Sequence, residues 1–436
     1  MLSHDVAGSG QSHRLLSELW WARRSTRITW ASVTFSRRQL AMLERSDRAR
    51  IMLVYWGRRG LSRFVQEAAT VATSCPSIEA TISVSRQNES FAAFSEFEDR
   101  LVAVDTFSND LGAIGQAWRI PMLRSRITRE IVNRKIEAVI EFMPHVWSSV
   151  VFSVLKPHGV LYSSIIHDAE IHPGDYRSAL IGLLLDRTIA QADAVLTLSD
   201  AVAKRLLTAR RVPEHKLFTL FHPDLDYGAR RRTISLTEGK PIRLAFLGRI
   251  MPYKGLTLLL DSVEALRREG FQVELGVFGE GALGDNRRRL AALGAEVINR
   301  WLTEQEIAAI LSRYHAVVLS HIEASQSGVA ATSLGAGIPV IATPVGGLIE
   351  QIQDGVNGIL AARVDAAALS DAIKRIVLDP NLFDAICRRI EATRADRSMA
   401  RFLQKCVEYT LVAGERQNGR AAVAPLGREV SILPGD

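Results

Sequence analysis

The sequence predicts an α/β protein built from two doubly wound, parallel-sheet domains that face each other across a cleft. Short apolar runs alternate with segments whose apolar residues recur at helical spacing, as is typical of parallel sheets covered by helices on both faces. Two such series occur, and the polar, aperiodic stretch 228–240 between them is interpreted as a linker. A chain of 436 residues, 47% of them hydrophobic, is long enough for two complete cores.

The first series fills residues 49–227 and is predicted to form the N-terminal domain. It opens with IMLVYW at 51–56, a continuous apolar run of the kind expected for a strand buried on both faces. The segment FVQEAATVA that follows carries apolar residues at helical spacing. Four later segments have the same strand character, at 81–85, 138–143, 161–168 and 194–199.

The second series fills residues 241–394 and is predicted to form the C-terminal domain. Its six strands are expected at 243–247, 274–278, 296–298, 316–319, 340–341 and 358–360. Helical segments follow Pro380, and the one at 395–412 is expected to pack back on the N-terminal domain.

The two ends of the chain lack sustained periodicity. Residues 1–48 are interpreted as a disordered or peripheral extension, and residues 413–436 as a flexible tail. No apolar run reaches the about 18 to 20 residues of a membrane-spanning helix. The first residues also lack a secretory pattern, so a cytoplasmic location is expected.

Cysteine and charge narrow the function further. The three cysteines lie far apart, without metal-ligand spacing, and are expected to be buried reduced thiols. The net charge of +7 is concentrated in the arginines of the first fifty residues and at 230–232. Such an excess suits an anionic membrane surface, although an ordinary solvated surface explains it equally well. No basic stripe interleaved with aromatic residues occurs, so nucleic acid is not expected as a partner.

The first candidate site residues follow the opening strand of the second series. Gly248 and Arg249 end that strand, and Lys254 stands just before a helical segment. A diphosphate needs fixed cations, and an arginine can bind two of its oxygens at once. A helix N-terminus adds free N–H groups. The alternative is a pair of exposed cations in a surface loop.

Glycine turns supply the next candidates. Gly279 and Gly281 follow one strand, and Gly346 and Gly347 follow another, where a backbone without Cβ lets a ligand approach closely. Glu350 lies just beyond the second pair and is a candidate acceptor for ribose or sugar hydroxyls. Equally, it is a first-turn acid that stabilises a helix dipole.

The segment EASQSG lies between a strand and a helical run, so its small polar side chains present several donors for phosphate or sugar oxygens. Simple capping of the helix by Ser325 or Ser327 is the alternative. The predicted donor contacts in this segment are Glu323, Ser325, Gln326, Ser327 and Gly328.

Acceptor contacts are predicted at strand ends of the first series. His167 and Asp168 end one strand, where a histidine facing the cleft can bind or polarise an acceptor hydroxyl, although a lone histidine is more often structural. The other predicted acceptor contacts are Gly57, Arg58, Arg59, Gly60 and His145.

Taken together, four motifs resemble those of the group 1 (family 4-like) retaining glycosyltransferases with the GT-B fold. They are LGRIMPYKG, VFGEG, HIEASQSGVAATSLGAGIPVIATPVGG and IQDGVNGIL. In the first series, VYWGRRGLSRF, IIHDAEIHPGD and QADAVLTLS look like that family's acceptor domain. The resemblance covers about residues 51–411 and implies an acceptor-binding N-terminal domain and a donor-binding C-terminal domain, both Rossmann-like.

The resemblance also implies the chemistry. A sugar would pass with retention from a nucleotide-diphosphate donor to a carbohydrate or lipid-linked saccharide, as in exopolysaccharide or cell-envelope glycan synthesis. Arg249, Lys254 and His167 would be the catalytic residues of this hexosyltransferase. No metal and no cofactor is expected, and the enzyme would work in the cytoplasm or at the inner face of the plasma membrane.

The chain departs from the family at one point. The family carries two glutamates separated by seven residues near the donor sugar. Here Thr332 occupies the second position and Glu323 lies one residue away from the first. A non-catalytic nucleotide-sugar-binding scaffold, or an epimerase of the same two-domain build, therefore remains as an alternative.

Overall fold

A computed structural model of the chain describes residues 48–169, 178–209, 211–229, 236 and 239–417, with only the backbone at 110–111, 178–181 and 184. The predicted N-terminal extension, most of the predicted linker and the end of the predicted tail lie outside the described residues.

The first sheet has seven strands, all parallel, in the order β3-β2-β1-β4-β5-β6-β7. They are β1 (Ala49–Tyr55), β2 (Ile78–Ser85), β3 (Leu101–Val104), β4 (Ala138–Glu141), β5 (Leu161–Ile166), β6 (Ala194–Thr197) and β7 (Leu217–Thr219). Strand β1 lies inside the sheet, with Ile51 opposite Ala80 on one side and Ala138 on the other. The helices among these strands are α1 (Ser62–Ser74), α2 (Asp110–Gly115), α3 (Ile120–Asn133), α4 (Ser148–Val151), α5 (Ser178–Gln191) and α6 (Asp200–Thr208).

The second sheet has six parallel strands in the order β10-β9-β8-β11-β12-β13. They are β8 (Ile242–Leu247), β9 (Val273–Phe278), β10 (Glu296–Ile298), β11 (Ala316–Leu319), β12 (Val340–Ala342) and β13 (Gly358–Leu360). The helices are α7 (Leu256–Arg268), α8 (Asn286–Ala292), α9 (Glu304–Leu311), α10 (Gly328–Gly335), α11 (Leu348–Gln351), α12 (Ala366–Leu378) and α13 (Pro380–Ala392). The strand order reverses between β8 and β11, which is where ligands bind in doubly wound sheets.

The predicted α/β architecture is confirmed, but two strands were not predicted. Strands β3 and β7 are four and three residues long, and each lies at an edge of the first sheet. Short edge strands bury few side chains, so their sequences carry little periodic signal.

Each sheet has its own core. In the second domain, helix α7 buries Leu256, Leu259, Leu260 and Val263, which recur at the spacing of one helix face. Residues such as Met52, Val54 and Ile127 do the same for the first domain. Cys75 and Cys406 are buried and Cys387 is partly buried, and all three thiols are free.

The chain returns to the first domain at its C-terminal end. Helix α14 (Met399–Gln417) lies against the first sheet, where Thr410 and Ser163 share a 2.7 Å hydrogen bond. Its Tyr409 stacks on Phe218 at 4.9 Å between ring centroids. The helix continues to Gln417, so the first residues of the predicted tail are helical. Within the described residues, no helix is both long and apolar enough to cross a membrane.

A buried ion pair joins this return to the segment that follows β7. The Arg397 guanidinium contacts both carboxylate oxygens of Asp224, at 3.1 Å each, and the Asp224 N–H donates to the Arg397 carbonyl at 2.8 Å. Burial raises the pKa of Asp224, and the charge of Arg397 counteracts that rise. The pair therefore connects the two places where the chain passes between the domains.

We expect Arg397→Ala to lower the free energy of unfolding by about 3–5 kcal/mol, because it leaves the Asp224 carboxylate buried without a partner. Urea unfolding measures the loss. The matched control is Arg401→Ala, which removes an exposed pair with Asp396 and should cost less than about 1 kcal/mol. Equal losses in the two variants would contradict the proposed role of the buried pair.

Candidate functional site

A cleft of about 940 Å³ lies between the carboxyl edges of the two sheets. One wall consists of residues that follow β1, β2, β4, β5 and β7, and the other of residues that follow β8, β9, β10 and β11. Both switch points of strand order open into it, and its volume suits a nucleotide-sized ligand.

Two cations lie side by side in the second wall. Arg249 and Lys254 both line the cleft, and no carboxylate among the described residues pairs with either side chain. Burial and, after it, the neighbouring charge of Arg249 together lower the pKa of Lys254 to about 8. The cleft therefore holds positive charge without a protein counterion, which an anionic ligand would supply.

Glycines fix the position of Lys254. Gly255 has φ 67°, and a Cβ there would lie 1.9 Å from the Ser320 carbonyl oxygen. The Ser320 hydroxyl donates to the Lys254 carbonyl at 3.0 Å, so the loop is held against the end of β11. A Cβ at Gly248 would lie 3.5 Å from Lys254 Nζ, so the ammonium group rests close to the end of β8.

The EASQSG segment contributes part of the same wall. Ser325, Gln326 and Gly328 line the cleft. The Ser327 hydroxyl instead accepts from the Ala330 N–H at 3.2 Å and caps α10, as the alternative interpretation expected. Ser325 also reaches the first domain, since its carbonyl accepts from Ser199 Oγ at 2.8 Å.

His167 lines the cleft and uses both ring nitrogens. Nε2 lies 2.7 Å from the Phe142 carbonyl, which can only accept, so this nitrogen carries the proton. Nδ1 then accepts from Gln326 Nε2 of the second domain at 2.8 Å. Burial lowers the pKa of His167, so the ring is neutral and bridges the two walls.

The acceptor-side loop also lies in the cleft. Arg58, Arg59 and Gly60 line it, with Asp168. Glu89 pairs with both arginines, at 3.5 and 2.5 Å, so their charge is partly neutralised.

The remaining predicted site residues lie outside the cleft lining, and their ligand contacts stay predictions. They are Gly57, His145, Gly281, Glu323, Ser327, Gly346, Gly347 and Glu350. His145 packs among Trp56, Phe107 and Trp147, and burial lowers its pKa to about 3. Its surroundings are therefore those of a structural histidine.

The predicted glycines do allow another group to approach the backbone closely, but that group is a carbonyl oxygen of a neighbouring loop and not a ligand. A Cβ at Gly279 would lie 2.0 Å from the Gly248 carbonyl oxygen, and one at Gly281 would lie 2.2 Å from that of Ile250. At Gly346 and Gly347 the nearest groups are the carbonyl oxygens of 324 and 325, at 1.7 and 2.1 Å. The loops that form the wall pack directly on one another, and of these four glycines only Gly279 also lines the cleft.

The two predicted carboxylates contact the first domain. Glu350 accepts from the backbone N–H groups of Asp200 and Ala201, at 2.6 and 2.8 Å, where α6 begins. Glu323 pairs with Arg205 of the same helix at 3.3 Å. Glu350 therefore stabilises a helix N-terminus, but one in the other domain.

The cleft residues that the sequence analysis did not name include Arg63, Trp301, Glu304 and His321. Trp301 is 52% exposed and lies under the Arg59 guanidinium, 5.8 Å from the ring centroid. Arg63 pairs with Glu304 across the cleft at 3.3 Å. His321 is buried with an unpartnered Nδ1, and burial lowers its pKa to about 3. A tryptophan three residues after the end of a predicted strand was a signal available in the sequence.

Among the described residues, no group of three or more histidine, cysteine, aspartate or glutamate side chains could hold a metal ion. An Asp-x-Asp sequence occurs at 224–226. Asp224 is occupied by Arg397, and the Asp226 carboxylate accepts from the Gly228 N–H at 2.8 Å.

Comparison with known proteins agrees with this geometry. Residues 241–379 match the family described as Glycosyl transferases group 1. A D-inositol 3-phosphate glycosyltransferase from Actinosynnema mirum is 30% identical over 223 residues, which are 46% of this chain and 53% of the relative. The chain thus spans about half the length of that relative. A glycogen synthase from Mycobacterium tuberculosis is 27% identical over 66% of this chain and 72% of its own.

Among solved structures, HepE of Anabaena in complex with UDP and glucose superposes with a TM-score of 0.62. The match covers 82% of this chain and 98% of HepE at 14% identity, so it concerns the fold. The second domain therefore matches the group 1 glycosyl transferases over residues 241–379, and the two parallel-sheet domains together have the GT-B fold.

Proposed function

We propose that the protein transfers a sugar from a nucleotide-diphosphate donor to a saccharide acceptor. The observation that carries the proposal is the unpaired couple Arg249 and Lys254 in the cleft wall, beside the start of α7. The diphosphate gains negative charge as the glycosidic bond breaks, and cations already in place stabilise that charge without reorganisation. The transferred sugar would leave with retention through an oxocarbenium-like transition state.

The names of relatives suggest which donor to test first. HepE was solved with UDP and glucose, and the other relatives are named as an inositol phosphate glycosyltransferase and a glycogen synthase. UDP-glucose is therefore the first donor to test. The exposed ring of Trp301 offers a flat apolar surface for a nucleobase at the rim of the cleft.

The acceptor would enter along the first wall, between the Arg58–Arg59 loop and His167. Neutral His167 has no free nitrogen while Gln326 binds it, so it would act on an acceptor hydroxyl only after that bond opens. We further propose that no metal takes part, that the acceptor is a carbohydrate or lipid-linked saccharide of polysaccharide synthesis, and that the work is done at the inner face of the plasma membrane.

One observation favours a second candidate. Thr332 lines the cleft where the family has a glutamate, and its hydroxyl donates to the Gly328 carbonyl at 2.8 Å. A protein that binds nucleotide sugars without turnover would tolerate this exchange. Release of nucleoside diphosphate from the donor without acceptor distinguishes the two, since a scaffold binds without release.

We expect Lys254→Ala to lower turnover of UDP-glucose by about 10²-fold or more, with the fold retained, because one cation at the developing charge is lost. Nucleoside diphosphate release measures this. The control Lys204→Ala removes an exposed lysine on α6 and should leave the rate unchanged. Unchanged turnover in Lys254→Ala would refute the proposed site.

Donor affinity should also depend on pH. Lys254 carries its proton below a pH of about 8 and loses it above, while the diphosphate stays ionised from neutral pH upward. The dissociation constant of UDP should therefore rise above about pH 8, up to tenfold per pH unit. Calorimetry measures it, and Lys254→Arg, whose charge persists, should show a flatter profile. Identical profiles for the two proteins would exclude Lys254 as the titrating group.

Glu350→Gln tests whether this carboxylate binds the donor or holds the domains together. Since it caps α6 of the other domain, an interaction worth about 0.3–2 kcal/mol, the variant should open the cleft and raise the radius of gyration in solution scattering. UDP affinity should change less than about twofold by calorimetry. The control is Glu269→Gln, whose partner Lys374 lies in the same domain. A large loss of affinity without opening would assign Glu350 to the donor.

A further inference from the structure

An exposed apolar patch lies on the first domain, outside the lining of the cleft. Ile114, Trp118 and Met122 are 77%, 64% and 65% exposed. They belong to the connected segment formed by α2, the turn at 117–119 and the start of α3. Three large apolar side chains within nine residues are unusual on a water-facing surface and indicate a surface that is covered in use.

Unpaired arginines surround the patch. Residues 112–129 contain four arginines and no acidic residue. Arg124, Arg126 and Arg129 have no carboxylate partner among the described residues. Helix α3 buries Leu123, Ile127 and Ile131 against the core, so these arginines and Met122 lie on its other sides. The side chains of 110–111 are not described and do not enter the argument.

The outward side of α3 is also shaped for a small anionic group. An open depression of about 490 Å³ runs along it, lined by Pro121, Arg124, Ser125, Thr128 and Arg129. The two guanidinium groups and the Ser125 hydroxyl are donors that a phosphate group accepts from, whereas the Thr128 hydroxyl donates to the Arg124 carbonyl at 2.9 Å.

We propose that this surface, the 114–129 surface, docks the protein on an anionic lipid bilayer. Trp118 and Met122 would enter the interfacial region, and Arg124, Arg126 and Arg129 would bind lipid phosphates. Arginines beside exposed aromatic and aliphatic side chains are the composition of interfacial membrane contacts. Each arginine near such a surface contributes about a fivefold gain in binding.

The position of the surface agrees with a membrane-borne acceptor. The Ala113 carbonyl accepts from Trp147 Nε1 at 3.1 Å, and Phe107 packs on His145 at 5.0 Å. His145 lies two residues from Met143, which lines the cleft. The surface therefore adjoins the acceptor wall. The link to a membrane-borne acceptor rests on the proposed function, whereas membrane docking itself does not.

Vesicle flotation of the full chain tests the proposal, using phosphatidylcholine with and without phosphatidylglycerol. The wild-type protein should float with the anionic vesicles, and salt should weaken this binding. Trp118→Ser/Met122→Ser and Arg124→Gln/Arg126→Gln/Arg129→Gln should each lose at least about tenfold in binding. The matched controls lie in the second domain and should bind like wild type: Leu378→Ser, also at 68% exposure, and Arg287→Gln/Arg288→Gln.

Several results would overturn the proposal. One is wild-type binding by both patch variants, or loss of binding only when the N-terminal arginines are changed, as in Arg23→Gln/Arg24→Gln/Arg27→Gln. Another is no vesicle binding while the patch variants abolish self-association or nucleic-acid binding, which would assign the surface to that partner. UDP-glucose turnover on a soluble acceptor is measured in parallel, so that failure of docking and failure of the transferase are told apart.

Discussion

The structure depends on two chain crossings that hold the carboxyl edges of two parallel sheets opposite each other. One crossing follows β7, and the other lies between α13 and α14. The buried pair of Asp224 and Arg397 joins them, with a backbone hydrogen bond beside it. Because ligands of doubly wound sheets bind at the carboxyl edge, this arrangement alone turns two half-sites into one cleft.

The walls of the cleft meet through polar contacts that can be broken at low cost. His167 accepts from Gln326, Ser199 donates to Ser325, and Glu350 caps α6. Each such bond contributes only about 0.5–1.5 kcal/mol net, because water can replace either partner as the domains part. Such an interface suits an enzyme whose donor and acceptor must enter between two domains.

The positive charge of the cleft favours binding of an anionic ligand between the two walls. Burial of the Lys254 ammonium removes water from around it, and the neighbouring charge of Arg249 repels it, so the pKa of Lys254 falls to about 8. A bound diphosphate would relieve both effects. A bound anion would therefore be stabilised by charge that the empty cleft leaves uncompensated.

Several features of the fold and of the cleft could be predicted from local patterns in the sequence. The apolar runs around Leu53 and Phe246 predicted both sheets, because a strand buried on two faces must be continuously apolar. The cations Arg249 and Lys254 followed from their places at a strand end and before a helix. Both predictions depend on residues that are close to one another in the chain, so they can be made from the sequence alone.

Only the tertiary structure decided which residues far apart in the chain contact one another. Glu350 looked like an acid on its own helix, yet its two donors lie at Asp200 and Ala201. Gly346 signalled close approach, but nothing in the sequence identified the carbonyl of Ala324 as the approaching group. The sequence by itself determined the two domains, the family resemblance and the phosphate-type cations. Which side chains face one another across the cleft was decided by how the domains pack, and such contacts leave no periodic trace.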